Sequence, residues 1–388
     1  MYRIGNEEIE AVKRVIESKE LFKVNNGELQ ETMNAEKELQ EKLDVKHALV
    51  MTSGHAALAS AFVALGIGPG DQVIIPAYTY IATAIAVLES GAIPVIAEID
   101  DSLTLDPADV EAKITEHTKA IVPVHIKGFP SNMEKICEIA KKHNIAVVED
   151  ACQADGASFK GKRLGTWGDA GAYSFNFYKI ISMGEGGALV TNRREVFENA
   201  LIYHDSSAVA FFGNQLDNFS AIPFCGSEYR TNEIATAILR EQLKKLDGII
   251  DDLRKNKRYI MDNLAPYAKF IRSNDINGDL GTTVGFAFDT AEAAEIFGGR
   301  IGVKPTVHTK KHVYCDWKPV LEKRGAAHPL MDPFKMEANK DIIPNYTKDM
   351  CPKSLDYLSK VVYVEINPDW TKAELDAKVD FLKKALQD

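Results

Sequence analysis

Short apolar runs alternate with helical patterns along the first half of the chain, and this alternation constrains the fold more than any other feature. Runs rich in Val, Ile and Ala predict seven strands, at 47–51, 72–75, 93–96, 120–124, 145–148, 171–175 and 188–191. Helical patterns lie between several of these runs. Strands that alternate with helices form a mostly parallel sheet covered on both faces. The sequence therefore predicts an α/β fold with a large sheet of about seven strands.

The second half of the chain has a different pattern. A long helical pattern runs from Thr231 to about Leu264, and Gly248 inside it predicts a kink or a join. Beyond it, 283–288, 303–308 and 361–366 predict an antiparallel sheet with flanking helices. We therefore expect a large domain over residues 1–250 and a smaller α+β domain over residues 251–388.

Composition excludes several functional classes. The 388 residues carry a formal net charge of −10, whereas nucleic-acid binding needs a basic surface, so no nucleic-acid partner is expected. No apolar run is long enough to span a bilayer, and the first residues do not resemble a signal peptide. The five cysteines are scattered without a C-x-x-C pair. We expect a reduced cytoplasmic protein with no membrane partner.

One lysine stands between two predicted strands. Lys179 follows the strand that ends at Ser174-Phe175, and a glycine-rich turn, Gly184 to Gly187, leads into the next strand. An amine held in a dry pocket at a sheet edge loses its proton more easily, and the neutral amine can form a Schiff base. A solvated loop lysine is the alternative, and it is the usual explanation for a single lysine. Lys179 is the first catalytic candidate.

A second signal lies upstream of Lys179. The apolar strand that ends at Val148 delivers Glu149 and Asp150 at its carboxyl end, where open α/β sheets bind their ligands. A buried aspartate there can keep a pyridinium nitrogen protonated, which makes pyridoxal phosphate an electron sink. The order Asp150, Ser174, Lys179 at these spacings predicts a pyridoxal-phosphate site, with Asp150 as the second catalytic candidate.

Two further segments are candidates for cofactor contacts. Ser53-Gly54 forms a turn before an alanine-rich helix, where exposed N–H groups suit a phosphate and Gly54 lets backbone approach a ligand. An ordinary capping turn is the alternative. Tyr80 stands at a helix start beyond a strand end, so its ring can stack on a planar ligand. A tyrosine buried in the core explains the same position equally well.

Taken together, these motifs resemble the DegT/DnrJ/StrS family of sugar aminotransferases over essentially the whole chain. That family consists of pyridoxal-phosphate enzymes with the aspartate-aminotransferase fold, also called fold type I. The matching residues are Ser53-Gly54 with Ala56 to Leu58, Pro76 to Tyr80, Glu149 to Gln153, Gly168-Asp169, Ser174-Phe175, Lys179, Gly184 to Gly187, Arg230, Glu233 and Gln242-Leu243. So many matches in the same order are specific for the family.

The resemblance implies a role for each matching residue. Lys179 would form the Schiff base with pyridoxal 5'-phosphate and later carry a proton, while Asp150 would pair with the pyridine nitrogen. Gln153 would lie near the phenolic oxygen of the ring and Tyr80 on the ring face, and Ser174 and Gly54 would hold the phosphate. Pyridoxamine 5'-phosphate would be the intermediate cofactor form. Family members are dimers whose sites the second subunit completes, so we expect a homodimer.

Two positions depart from the family pattern. His55 stands where the family usually has threonine, and Glu228 stands where it usually has an asparagine that reaches the phosphate from the other subunit. A carboxylate beside a phosphate is repulsive, by a few kcal/mol at about 4 Å. We hypothesise that His55 becomes a cation that meets both the phosphate and Glu228 of the second subunit. The alternative is that Glu228 turns to solvent.

These assignments predict an aminotransferase that moves an amino group from an amino acid, glutamate by resemblance, to a keto- or aldehyde-sugar. The pathway would be nucleotide-sugar, octulosonate or secondary-metabolite biosynthesis. Three alternatives stay open: a pyridoxamine-dependent sugar dehydratase, an aminotransferase for a cyclitol or other non-sugar ketone, and a binding or sensory protein. The dehydratase branch usually has histidine in place of Lys179. Substrate choice would depend on two segments: 197–225, where we expect a helix followed by a mobile segment, and 308–340, which we expect to be a long loop.

Overall fold

A computed structural model describes residues 3–24, 27–209 and 219–387. Its strands are β1 (His47–Met51), β2 (Gln72–Pro76), β3 (Ile93–Ala97), β4 (Thr118–Ile121), β5 (Ala146–Asp150), β6 (Ser158–Phe159), β7 (Lys162–Arg163), β8 (Ala170–Ser174), β9 (Gly187–Thr191), β10 (Lys269–Phe270), β11 (Thr283–Ala287) and β12 (Val361–Glu365). Its helices are α1 (Asn6–Ser18), α2 (Glu31–Leu43), α3 (Gly54–Ala64), α4 (Ala82–Glu89), α5 (Pro107–Lys113), α6 (Met133–His143), α7 (Arg194–His204), α8 (Glu233–Leu264), α9 (Ala291–Ile301), α10 (Lys318–Leu321), α11 (Pro352–Ser359) and α12 (Lys372–Gln387).

The large sheet has seven strands in the order β1-β9-β8-β5-β4-β2-β3. Adjacent pairs from β8 through β5, β4 and β2 to β3 are parallel, and only β9 runs antiparallel to its two neighbours. Strands β2, β3 and β8 are buried along their whole length, as expected for a sheet covered on both faces. The predicted mostly parallel sheet of seven strands is confirmed.

Strand register determines which residues meet at the carboxyl edge. Asp150, the last residue of β5, lies beside Ala172 of β8. Met51 at the end of β1 and Ser174 at the end of β8 both pair with Gly187 of the intervening antiparallel strand β9. The turns that follow β1, β5 and β8 therefore leave the sheet side by side, although about 120 residues separate the first from the last.

The smaller sheet differs from its prediction in one strand. Its order is β10-β11-β12, all antiparallel, so the strands predicted at 283–288 and 361–366 are confirmed. The strand predicted over 303–308 is wrong, because Thr306–His308 forms a 3-10 turn that follows Pro305. Proline has no N–H for a ladder hydrogen bond and favours the start of such a turn. The two-residue strand β10 was not predicted.

Helix α8 runs unbroken for 32 residues past Gly248, so the predicted kink or join is absent. It packs against α1 and α2 and also against α12 near the C-terminus. The proposed division of the chain after residue 250 falls inside this helix, and it stays a prediction. Residues 210–218, where a mobile segment was predicted after a helix, lie outside the described residues. The helix itself is confirmed as α7.

Candidate active site

A cavity of about 590 Å³ opens at the carboxyl edge of the large sheet. Eight of the nine predicted site residues line it: Ser53, Gly54, His55, Tyr80, Asp150, Gln153, Ser174 and Lys179. The same cavity borders residues of the smaller sheet and of the 308–340 segment, including Thr283, Glu365, Lys311 and His312. Glu228 is absent from the lining. The structure thus brings together residues that the sequence places far apart.

Asp150 is buried and held in one orientation by three contacts. The hydroxyl of Thr83 on α4 donates to Asp150 Oδ2 at 2.7 Å, and the Cys152 amide donates to Oδ1 at 3.2 Å. The Asp150 amide donates to the Pro123 carbonyl at 3.0 Å, which ties the strand end to its parallel neighbour. Thr83 is itself hydrogen-bonded to Thr79 at 2.7 Å. Sequence reasoning missed Thr83, because a threonine in a helix carries no signal of its contact with a distant strand.

Glu149, beside Asp150, is fully buried and accepts hydrogen bonds at both carboxylate oxygens. Oε1 accepts the amides of Trp167 at 2.5 Å and Gly168 at 2.9 Å, and Oε2 accepts the Gly165 amide at 2.7 Å. Oε2 also accepts Nε2 of the buried His125 at 3.1 Å. Because its oxygens are satisfied by the protein, Glu149 secures the strand end and is unsuited to bind a ligand.

Lys179 lies on the turn between β8 and β9, and its amide donates to the Asn176 carbonyl at 3.1 Å. Within the described ranges, its side-chain ammonium makes neither a hydrogen bond nor an ion pair. The neighbouring Phe177 and Tyr178 are exposed, with relative exposures of 57% and 83%. A Cβ on Gly187 would come 2.3 Å from the Ser53 carbonyl carbon, so the turn needs glycine where it returns to the sheet. Lys179 is therefore presented on the cavity wall without a competing partner.

The start of helix α3 forms a cradle. The Ser53 hydroxyl accepts the Ala56 amide at 3.0 Å and caps the helix. A Cβ built on Gly54 would lie 2.5 Å from Cys152 Sγ and 2.9 Å from Ser174 Cβ, so only glycine fits. The backbone of Gly54 consequently lies against Ser174 at the positive end of a helix. Such a helix start is suited to bind a phosphate.

His55 and Glu228 make their contacts elsewhere in this chain. The His55 Nε2 lies 2.6 Å from Glu89 Oε2, and Glu89 also accepts the Tyr229 hydroxyl. The hydrogen bond from His55 is the main cause that lowers the pKa of Glu89. Glu228 is half exposed and its carboxylate lies 2.6 Å from the Arg230 guanidinium. The hypothesis that His55 meets Glu228 of a second subunit stays a prediction.

Several residues of the cavity lining escaped the sequence reasoning, among them Asp155, Lys127, Lys311 and His312. Asp155 is 2% exposed, and its Oδ1 has no hydrogen-bond partner among the described residues. Burial raises the pKa of the Asp155 carboxyl well above its usual range, while the charge of Lys179 opposes that shift. Burial, followed by the charges of Lys127 and Lys311, lowers the pKa of His312 to about 4. His312 is therefore neutral at physiological pH.

Two of the predicted site residues, Tyr80 and Gln153, contact these additional lining residues. The Tyr80 ring lies 5.5 Å from the His312 ring, with 48° between the planes, and Lys311 Nζ lies 5.3 Å from the Tyr80 ring centre. The Gln153 side-chain carbonyl accepts the Lys127 amide at 3.0 Å. With Tyr80 42% exposed, the alternative of a tyrosine buried in the core is excluded.

The sheet, its carboxyl-edge cavity and the pair Lys179 and Asp150 define the class: a fold type I protein of the aspartate-aminotransferase fold. Similarity to the X-ray structure of the aminotransferase from Psychrobacter cryohalolentis bears this out, with a TM-score of 0.79 and 25% identity over 99% of this chain and 98% of that one. The chain belongs to the DegT/DnrJ/EryC1/StrS aminotransferase family, whose model matches residues 2–289. The family resemblance expected from the motifs is confirmed.

Curated relatives are similar over part of their length. The GDP-perosamine synthase of Caulobacter vibrioides is 41% identical over 213 residues, which is 55% of this chain and 56% of that protein. A putative L-glutamine:3-amino-2,3-dideoxy-scyllo-inosose aminotransferase of Micromonospora echinospora is 35% identical over 249 residues, 63% of this chain and 58% of that protein. The matched part of the chain thus spans little more than half the length of these relatives.

Proposed function

We propose that this protein is a pyridoxal-phosphate-dependent aminotransferase that moves an amino group from an amino acid, glutamate by resemblance, to a keto- or aldehyde-sugar. One observation carries the proposal. A lysine without a partner, an oriented buried aspartate and a glycine cradle at a helix start, formed around Lys179, Asp150 and Gly54, line a single cavity in the described part of the chain. Each of these groups suits a different part of the same cofactor.

The residues present fit pyridoxal 5'-phosphate. The Gly54 cradle and Ser174 would hold its phosphate, Asp150 its ring nitrogen, and Gln153 would lie near its phenolic oxygen. Tyr80, exposed on the cavity wall, would cover one ring face. When bound, the cofactor supplies an electron sink that stabilises negative charge on the substrate carbon bearing the amine.

The chain's own residues then have defined tasks. Asp150, oriented by Thr83, presents a carboxylate that can keep a ring N–H in place. Lys179 Nζ has no hydrogen-bond or ion-pair partner among the residues that the structure describes and lines the same cavity as Asp150, and it would take the proton from the substrate carbon and return it. His312 stays neutral because of its low pKa, so it adds no positive charge beside Tyr80. Asp150 is 6% exposed, so bulk water has little access to its carboxylate.

The names of the relatives support the proposed class of acceptor. A perosamine synthase and an inosose aminotransferase act on a sugar and a cyclitol by their names, which supports a ring-bearing polyhydroxylated ketone or its open-chain aldehyde. The cyclitol alternative therefore remains beside the sugar. Lys179 argues against the dehydratase alternative, since that branch usually has histidine there. A binding or sensory protein would not require the unpaired Lys179.

The assembly and location are part of the same proposal. We expect a homodimer in the cytoplasm, with no nucleic acid as partner. Exposed Phe177 and Tyr178 beside the cavity suit burial against a second subunit. Across the described ranges, no helix has both the length and the apolar character that crossing a bilayer requires. A variant pair tests the interface hypothesis: His55→Thr should weaken cofactor binding more than His55→Thr with Glu228→Asn.

The central test is the visible spectrum of the purified protein with pyridoxal phosphate, before and after addition of L-glutamate. We expect the band of the lysine-bound cofactor, and then its replacement by the pyridoxamine band. Lys179→Ala should abolish the first band, whereas Lys310→Ala, which removes an exposed lysine outside the cavity lining, should leave both. Cofactor binding without the second band would point to another donor. A protein without either band would refute the proposal.

A further inference from the structure

The cavity lining contains two lysines that have no task in the proposed reaction. They come from two segments that lie far apart in the sequence. Lys127 lies in the turn after β4, and Lys311 lies in the 308–340 segment. Lys127 has φ +53°, and its amide and carbonyl are fixed by Gln153 at 3.0 Å and by the Thr282 hydroxyl at 2.7 Å. The backbone that carries Lys127 is therefore held at both polar groups.

The backbone of Lys311 is equally constrained. Its carbonyl accepts the Ile81 amide at 3.0 Å and the indole Nε1 of the fully buried Trp317 at 3.1 Å. The next carbonyl, that of His312, accepts the Thr79 amide at 3.0 Å. These contacts attach the segment to the turn that carries Tyr80. Lys311 is thus placed beside the cavity by tertiary structure rather than by a flexible loop.

The two ammonium groups have weak partners or none in the described part of the chain. Lys127 Nζ lies 3.4 Å from Glu365, whose side chain is 78% exposed, so the pair is a solvent-screened ion pair of little strength. Lys311 has no carboxylate within 4 Å among those residues and lies over the Tyr80 ring. The low pKa of His312 has Lys127, Lys311 and Lys179 among its causes, so all three cations act on the same region.

The other cavity carboxylates do not offset this positive charge. Neither Asp150 nor Asp155 lies within 4 Å of the Lys127 or Lys311 ammonium in the described part of the chain, and burial favours the neutral form of Asp155. Glu185 lies on the exposed turn beyond Lys179. The phosphate cradle at Ser53 and Gly54 is formed by other elements, the ends of β1 and β8 and the start of α3. A second anion beside the cofactor would therefore find two cations.

We propose that Lys127 and Lys311 form an anion subsite that takes a carboxylate or phosphate group of a substrate. The inference rests on the proposed function, because it assumes that a substrate enters the cavity in which Lys179 stands. Two sources have this chemistry: the carboxylates of the amino-acid donor, and an acid or nucleoside-diphosphate group on the acceptor. An incoming anion would replace Glu365 as the partner of Lys127. The subsite would orient the reacting end of the substrate toward Lys179.

Calorimetric titration of the cofactor-loaded protein at constant ionic strength tests the subsite without relying on catalysis. The probes are succinate for a dicarboxylate donor, D-gluconate for a sugar acid, UDP for a nucleoside diphosphate, and uncharged sorbitol as control. We expect at least one anion to bind and sorbitol not to bind. Lys127→Gln and Lys311→Gln should each raise the dissociation constant about tenfold or more, as loss of a charged hydrogen bond does. The tightest probe identifies the source.

Lys310→Gln is the matched control, since it removes the same charge from the same 3-10 turn but from a side chain outside the cavity lining. It should leave the affinity for the anion within about twofold of the original protein. Equal losses in the Lys310 and Lys311 variants would mean a nonspecific charge effect and would overturn the proposal. So would unchanged binding in the Lys311 variant, or no binding of any anion.

Two outcomes separate this inference from the proposed function. If the Lys127 and Lys311 variants weaken pyridoxal phosphate as much as they weaken the probes, the lysines hold the cofactor phosphate and the subsite proposal fails while the aminotransferase proposal stands. If the protein binds no pyridoxal phosphate, the aminotransferase proposal fails. Titration of that cofactor-free protein with the same probes would then decide the subsite by the same criteria.

Discussion

The buried carboxylate of Glu149 offers the sharpest prediction, because its replacement by the isosteric amide changes hydrogen bonding and charge without creating a cavity. Its two oxygens accept three backbone amides, those of Gly165, Trp167 and Gly168, and the Nε2 of His125. In Glu149→Gln, one oxygen becomes an NH₂ group, which donates and cannot accept. Whichever oxygen is replaced, two donors lose their acceptor.

Rearrangement of His125 would not relieve this loss. The Ser131 amide donates to His125 Nδ1 at 3.1 Å, so the imidazole proton is on Nε2 and points at Glu149. If His125 exchanged tautomers to accept from the new side-chain amide, its Nδ1–H would face the Ser131 N–H. Rotation of the amide instead would place NH₂ against the Trp167 and Gly168 amides. Each alternative leaves at least two unpaired donors around the fully buried side chain of residue 149.

The number of lost hydrogen bonds gives the expected loss of unfolding free energy. A hydrogen bond to a charged group contributes about 1.5–3 kcal/mol, so two lost bonds correspond to about 3–6 kcal/mol of unfolding free energy. That is a large fraction of the stability of a typical protein, which is about 5–15 kcal/mol. Because Glu149 adjoins Asp150, the variant should also bind pyridoxal phosphate more weakly in whatever fraction remains folded.

Urea unfolding of the cofactor-free protein, followed by circular dichroism, measures the loss. Glu195→Gln is the control, since Glu195 is an exposed carboxylate on α7 that pairs with Arg193 at the surface, and it should cost no more than about 1 kcal/mol. A loss of less than about 1 kcal/mol in Glu149→Gln would refute the reasoning. It would show that the buried acceptor network is not what holds the end of β5.

Three further predictions concern the cavity. Gly54→Ala should weaken pyridoxal-phosphate binding about tenfold or more, measured by absorbance titration, because its Cβ would overlap Cys152 Sγ; adding Cys152→Ala should restore part of the affinity. Thr83→Val should slow the glutamate half-reaction about tenfold, whereas Thr83→Ser should keep the original rate, because the hydroxyl orients Asp150. Equal rates in the two variants would contradict this role of Thr83. Burial raises the folded-state pKa of Asp155, so the stability that this carboxyl contributes is present below its unfolded-state pKa of about 3.9 and is lost as pH rises. Asp155→Asn should therefore gain stability relative to the original protein from about pH 4 to pH 8. Urea unfolding of the cofactor-free protein measures this difference. A difference that does not change with pH would contradict it.

Local patterns predicted most of the elements that carry the site. Seven short apolar runs became the strands of the large sheet, and the long helical pattern from Thr231 to about Leu264 became helix α8. These succeeded because the period of apolar residues reports burial within one element. The strand predicted at 303–308 failed because Pro305 converts an apolar run into a turn, and the kink predicted at Gly248 failed because packing keeps α8 continuous. Tertiary contacts outweigh the weak preference of a single glycine.

The sequence alone also determined the catalytic candidates, because Lys179 and Asp150 lie beside the strands that position them and strand ends converge at one edge of a parallel sheet. Only the tertiary structure decided what surrounds them. Thr83 reaches Asp150, Lys311 reaches Tyr80, and Asp155 loses its contact with water through packing between elements distant in the chain. Hydrogen bonds and burial of this kind depend on which surfaces meet in space. The local spacing of apolar residues in the sequence carries no information about those contacts.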